Sequence, residues 1–403
     1  VSFETWLENS HYTQRKKDSL KRMYDRTIAL GEDDFKPFNN FCKCFIKDES
    51  YPSFKAPRGI YARKDEFKLR VGPIFKAIEN ALINSPYFIK KIPVAKRAKF
   101  IFDRFGDAPA SIKDISAVLR RFISTDYSAF ESSFSREVMN DCEMLLYEYM
   151  TQFLPEGKRF MELIRRVLLG TNECRFKNIR VRLSAGRMSG EMNTSLGNGF
   201  TNLMLFLFAM EEFGCSDFDC LVEGDDGIGT YNGPMIPDIF YAKLGFTIKL
   251  KYHRLLNTAS FCGQIFDFDT FTVICDPIKV LLNFAWVNNK YHSMSDRTRK
   301  GLLRAKALSL LYQYPGCPIL QVFGMRVLHL TQGVPALMDN TLDAHKRAIM
   351  FAALTSELPV RKVEMPTRIL MNEVYGIPII DQLILENFLN CLEDMQPIQH
   401  PVL

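Results

Sequence analysis

The sequence predicts an α+β fold in which an antiparallel sheet is backed by helices. Three observations lead there. Residues 221–229 read as two apolar strands joined at a glycine-flanked turn, an apolar strand runs up to Asp126, and helical apolar spacing recurs beyond Ser135 and again from Arg299 to Leu311, stopping before Pro315-Gly316. At 403 residues the chain exceeds one simple core and suggests two or three subdomains. A hydrophobic fraction of 47% excludes a disordered polypeptide.

The turn is Glu223-Gly224-Asp225-Asp226-Gly227. Gly224 and Gly227 supply the backbone freedom of a tight hairpin, and two adjacent carboxylates sit at its tip. Like charges side by side repel unless a divalent cation neutralises them; taken alone, a solvated acidic turn is the simpler reading. A second acid changes the balance. Asp126 ends the upstream strand, and a helix is predicted to start at residues 133–135, with Val138, Cys142, Leu145, Leu146 and Tyr149 recurring along it. Asp126 and Asp225 on neighbouring strands would clamp two Mg²⁺ ions about 3.5–4 Å apart, which activates an attacking oxygen and stabilises a leaving one in phosphoryl transfer.

Residues 186–202 carry the third element. A helix beginning just after Ser189-Gly190 puts Thr194, Asn198 and Asn202 in one polar stripe, with Phe200, Leu203 and Leu207 on another face. Such amides need partners. Neighbouring loops would satisfy them, and so would a nucleotide's ribose hydroxyls.

In this order and at this spacing the residues resemble the RNA-dependent RNA polymerases of positive-strand RNA viruses, specifically the tombusvirus-like and flavivirus-like group. The D-x4-acid motif falls at Asp126 and Glu131, S-G-x3-T-x3-N at Ser189, Gly190, Thr194 and Asn198, and G-D-D at residues 224–226. Phe45-Ile46-Lys47-Asp48-Glu49 with residues 57–63 resembles the basic motif that grips incoming triphosphate, and Ser260-Phe261-Cys262-Gly263 the short hairpin bordering the primer strand. The resemblance covers roughly residues 41–325.

It implies a right-hand polymerase with fingers at 1–120 (the basic motif at 43–63) and 154–187, palm at 121–153 and 188–263, and thumb at 264–403. The 154–187 excursion includes residues 178–183, which alternate like a strand. Asp126 and Asp225 become metal ligands, with Asp226 a weaker participant, for two Mg²⁺ (or Mn²⁺) ions. Lys47, Arg58 and Arg63 hold the triphosphate. Glu131, Asn198 and Thr194 read the ribose 2′-hydroxyl, although many relatives carry Asp where this chain has Glu131. Ser189-Gly190 forms a mobile loop. For the general acid, Lys249, Lys251 and His253 all qualify, and no spacing rule selects one. The implied activity is nucleotidyl transfer from NTPs to an RNA 3′-OH on an RNA template, in the host cytoplasm, at membrane-associated complexes held by other viral proteins.

The remaining features fit. Net charge is +6, with basic clusters at residues 15–22, 90–99 and 175–182 that suit a phosphate-lined channel, though each alone reads as a solvated face. The ten cysteines show no paired C-x2-C framework, as expected of reduced thiols. No secretory signal or membrane span is visible, and a start at Val1 reads as a part processed from a larger viral product. Three rivals are told apart by these residues. A reverse transcriptase would carry an aromatic-x-D-D turn without the Thr194/Asn198 pair, an inactive RNA-binding scaffold would not need Asp126 and Asp225, and a two-metal nuclease would leave the basic motif unexplained.

Overall fold

A computed structural model of the chain describes all residues except 11, 30–39, 48–53, 55, 107–118, 343, 396–397 and 403. Asp48 and Glu49 of the basic motif therefore lie outside the described residues. Two structural units emerge. The first takes the described residues of Val1–Lys47, Lys55–Lys91 and Ile112–Tyr252; the second takes those of Asp48–Phe54, Ile92–Ser111 and His253–Leu403.

The first unit is organised by β1 (Phe41–Ile46), β2 (Gly59–Arg63), β3 (Leu119–Tyr127), β4 (Thr171–Arg175), β5 (Arg180–Ser184), β6 (Ser216–Glu223), β7 (Asp226–Gly233) and β8 (Ile248–His253). One sheet has the order β2-β1-β4-β5, with β1 antiparallel to β2 and parallel to β4. The other has the order β6-β7-β3-β8, with β7 antiparallel to both β6 and β3. Helices back these sheets, as the α+β reading expects. Of residues 178–183, the last four enter β5, which is exposed along its whole length, so their alternation marks no buried face.

The central sheet is held by aromatic and aliphatic packing. Ile123 and Tyr127 of β3, Val222 of β6 and Tyr231 of β7 share one core with Leu203, Phe206, Ala209 and Met210 of the Thr194–Glu212 helix. Each such large side chain removed from water contributes about 1.5–3 kcal/mol. A second core joins the Asp65–Leu82, Glu143–Thr151 and Gly157–Leu168 helices through Phe75, Tyr147, Phe160 and Ile164. There Phe75 meets Tyr147 edge-on at 5.1 Å and Phe160 at 5.3 Å.

Several local expectations change. Ser135 caps a helix as expected, accepting from the Val138 amide, but that helix covers only Arg136–Asp141 and breaks at Cys142 before Glu143–Thr151 begins. The break shifts the buried face, so Met139, Met144 and Tyr147 are core while Leu145 and Tyr149 are exposed. The polar-stripe helix starts at Thr194, not directly after Gly190.

The second unit pairs β9 (Ile265–Asp267) with β10 (Thr272–Ile274) and packs helices around Ile274, Leu310, Phe323 and Leu385. Its Asp296–Gln313 helix matches the predicted apolar spacing and is capped by Ser295. Residues 260–263 enter a tight hairpin: Phe261 bridges Gln264, and Cys262 and Gly263 take φ of 54° and 68°. No disulfide joins the cysteines. Among the described residues no helix is long and apolar enough to cross a membrane.

The two turn glycines prove to have different reasons. Gly224 adopts φ 61°, as the first position of a two-residue hairpin loop requires. Gly227 lies inside β7, where an added Cβ would sit 2.6 Å from Thr125 Oγ1 on β3. Gly227→Ala is thus expected to cost about 1–3 kcal/mol by overpacking. Denaturant unfolding checks this, and an unchanged midpoint would mean that the two strands have slack.

Candidate active site

The acidic turn is placed by strand register. Glu223 pairs with Asp226, which leaves Gly224 and Asp225 as the loop between β6 and β7. On the other side of β7, Thr125 pairs with Gly227, so the next step along the ladder sets Asp126 beside Asp226. Asn202, 1% exposed, donates from Nδ2 to the Gly224 and Asp226 carbonyls at 3.2 and 3.0 Å. The last member of the polar stripe therefore clamps the turn, the loop-tying alternative of the two partners the sequence left open.

The carboxylates feel one another. Desolvation raises the pKa of Asp225, and Glu131 and Asp126 raise it further, while Arg58 opposes them. Asp226 is pushed from its ordinary 3.8 up to about 7, by desolvation first and then by Asp225, Asp126 and Glu223. Asp126 itself is exposed.

Beside the acids lies the second half of the stripe. Glu131 sits in a short 3₁₀ turn, Phe130–Ser133, entered through Ala129 at φ 52°. Asn198, buried on the 194–212 helix, donates from Nδ2 to Glu131 Oε1 at 3.4 Å and accepts from Arg187 Nε at 3.2 Å. The Glu131 side chain thus reaches Asn198. Thr194 turns away, donating to the Met188 and Glu191 carbonyls at 3.1 and 3.2 Å.

The loop ahead of this helix is tied down. Ser189 Oγ donates to the Gly59 carbonyl at 3.1 Å and the Gly190 amide to the Tyr61 carbonyl at 3.0 Å, both on β2. A Cβ at Gly190 would lie 2.7 Å from that Tyr61 oxygen, so close approach accounts for the glycine here, where a mobile loop was expected.

The three basic residues separate. The Lys47 amide donates to the Arg58 carbonyl at 2.8 Å, and Arg58 is exposed and close enough to influence Asp225. Arg63, in contrast, is 4% exposed and its guanidinium pairs with Glu191 at 2.6 Å. That burial removes Arg63 from the group that would grip a triphosphate directly. Glu191 also lies 3.7 Å from Arg187, whose other nitrogen pairs with Glu143. This buried Glu143–Arg187–Glu191–Arg63 chain was missed from sequence. The signal for it was an i,i+4 Arg-Glu spacing at 187 and 191 inside an apolar neighbourhood.

Comparison with known proteins decides the family. The viral RNA-dependent RNA polymerase family matches residues 40–240. The chain belongs to that family. It is 23% identical over 247 residues to a protein of striped jack nervous necrosis virus described as RNA-directed RNA polymerase, across 59% of this chain and 22% of that one. It thus spans about a fifth of the length of that relative.

Within this polymerase-family chain the donor set suits a hard divalent cation: Asp126 at the end of β3, Asp225 in the turn and Asp226 at the start of β7 come together, and neighbouring carboxylates add to the desolvation that raises the pKa of Asp225 and Asp226. Among the described residues no three such side chains already stand as a complete ligand cluster. On β8, Ile248, Leu250 and Tyr252 pack into the central core, so Lys249 and Lys251 share the opposite face and are exposed. His253 Nδ1 lies 3.2 Å from Thr258 Oγ1. The geometry does not single out one of the three.

The raised Asp226 pKa has a consequence for stability. Between its ordinary 3.8 and about 7, the folded chain keeps a proton that the unfolded chain has lost, so stability falls as pH rises through that window. Asp226→Asn removes this cost. In the presence of chelator, the variant is expected to melt above wild type near about pH 8, with the gap closing towards about pH 4. A gap that ignores pH would show that charge is not its source.

Proposed function

We propose that this chain performs template-directed RNA synthesis, joining an NTP to an RNA 3′-OH and releasing pyrophosphate. The observation that carries the proposal is the meeting of Asp126, Asp225 and Asp226 at adjacent strand ends with the Glu131–Asn198 pair close by. Acids alone would serve a nuclease. An ordered amide–carboxylate pair beside them suits a ribose hydroxyl, which is both donor and acceptor.

In this reading Asp126 and Asp225 hold two Mg²⁺ or Mn²⁺ ions, with Asp226 contributing less. Bound there, the ions would activate the attacking 3′-oxygen and stabilise the leaving one. The site's own residues do the rest. Arg58 and Lys47 draw in the triphosphate, Glu131 and Asn198 orient the sugar, Asn202 keeps the acidic turn in register, and Arg63 acts from within by holding Glu191. Lys249, Lys251 or His253 protonates the pyrophosphate. Residues 1–120 and 154–187 would be fingers, 121–153 and 188–263 palm, and 264–403 thumb. RNA template, nascent RNA and NTPs are the partners, with other viral proteins bringing the chain to membranes of the host cytoplasm.

Primer extension on a homopolymeric RNA template, with and without Mg²⁺, tests the proposal. Asp126→Ala and Asp225→Ala are each expected to leave under about one per cent of wild-type elongation, while RNA binding persists. Elongation that survives both substitutions would sink the metal assignment. A preference for dNTPs would instead favour a reverse transcriptase.

Sugar choice tests the second half of the site. Asn198→Ala should lower the preference for NTP over dNTP by about 1–3 kcal/mol, tens-fold or more. Matched NTP and dNTP competing in single-nucleotide addition measure this, and an unaltered preference would make the amide purely structural.

A further inference from the structure

We infer that Arg187, whose side chain is fully buried and cannot touch substrate, is a positioning residue that sets the choice between ribo- and deoxyribonucleotides by fixing the orientation of Asn198. The inference rests on the ribose-reading role proposed above for Asn198 and Glu131. An asparagine amide has two ends of nearly equal size and opposite chemistry, one accepting and one donating. Its orientation is set only by its neighbours.

At Asn198 those neighbours leave one solution. Arg187 Nε donates to Oδ1 at 3.2 Å, and Nδ2 donates to Glu131 Oε1 at 3.4 Å. Rotating the amide by half a turn would set its NH₂ against a guanidinium N–H and its oxygen against a carboxylate. Both contacts are repulsive, and the residue is 4% exposed, so water cannot relieve them. Arginine never loses its proton and has no acceptor, which makes the constraint permanent. A correctly turned Asn198 then holds the Glu131 carboxylate where a 2′-hydroxyl can donate to it.

Arg187 is itself held from behind. Its Nη2 pairs with Glu143, its Nη1 lies 3.7 Å from Glu191 Oε2, and its guanidinium stacks 4.8 Å from the centre of the Phe134 ring. Tyr147 Oη donates to Glu143 Oε2 at 2.7 Å, and Asn193 Nδ2 donates to Tyr147 Oη at 3.0 Å. Gly197 lets the helix backbone lie against this pair, since a Cβ there would collide with both Arg187 and Glu143. One nitrogen of the fork thus serves Asn198 and another serves Glu143. A lysine ammonium has three donors but one position and no planar fork, so it cannot stand in both the Nε and the Nη2 places.

The test is single-nucleotide addition by the full chain, with kcat/KM determined for matched NTP and dNTP. Arg187→Lys keeps a positive charge beside Glu143 and gives up the second nitrogen. Its NTP:dNTP ratio is expected to fall on the order of tenfold towards that of Asn198→Ala, and adding Arg187→Lys to Asn198→Ala should lower it no further. A purely structural role would slow both sugars alike and compound with Asn198→Ala, which would overturn the inference. An unchanged ratio in Arg187→Lys, beside a lowered one in Asn198→Ala, overturns it while leaving the ribose reading intact. An unchanged ratio in Asn198→Ala, or no NTP addition by the wild-type chain, overturns both. If Arg187→Lys loses cooperative thermal unfolding, Glu143→Gln with Arg187→Met removes the donor without stranding a buried charge and is judged by the same ratio.

Discussion

A charge taken out of water governs the geometry of the first unit. Arg187 has no exposed side-chain surface, and its neutralising partner Glu143 has none either. Removing one member of such a pair typically costs about 3–5 kcal/mol, because the other is left buried and uncompensated. The pair is therefore obliged to form, and forming it brings three separate parts of the chain together: the Glu143–Thr151 helix, the loop before the 194–212 helix, and, through Glu191 and Arg63, strand β2.

This obligation explains the tight loop. Ser189 and Gly190 hydrogen-bond to β2 on one side, while Arg187 and Glu191 flanking them are held in the ion-pair chain. A segment gripped at both ends delivers the 194–212 helix at a defined height, and the height of that helix decides where Asn198 and Asn202 point. Asn202 then reads the backbone of the acidic turn and Asn198 reads Glu131. The same helix that packs Leu203 and Phe206 into the sheet core thus connects the ion-pair chain to the carboxylates.

The acidic turn shows the opposite strategy. Its carboxylates are crowded and partly desolvated: burial first, and then the neighbouring carboxylates, raise the pKa of Asp225 and Asp226. A fold tolerates such crowding where packing over-determines the backbone. Here that packing comes from β3 and β7 meeting at Gly227 with no room for a side chain, and from the Asn202 clamp.

Much of this was legible in the residues. Alternation and turn chemistry located β6, β7 and the end of β3, the Ser135 cap and the Asp296–Gln313 helix were readable from local spacing, and the order of the acidic, Ser-Gly and Asp-Asp motifs pointed to the family. These are local properties, set by backbone preference and by polar residues a few positions apart. What the sequence could not decide was which polar residue pairs with which. Arg58 and Arg63 look alike in a basic segment, yet one is exposed near Asp225 and the other is buried against Glu191, 128 positions away in the chain. The Cys142 break, which moved Leu145 and Tyr149 to the surface, and the three different partners of Thr194, Asn198 and Asn202 belong to the same class. A charge or an amide has no preferred partner until the fold excludes water around it, and only tertiary packing determines where that happens.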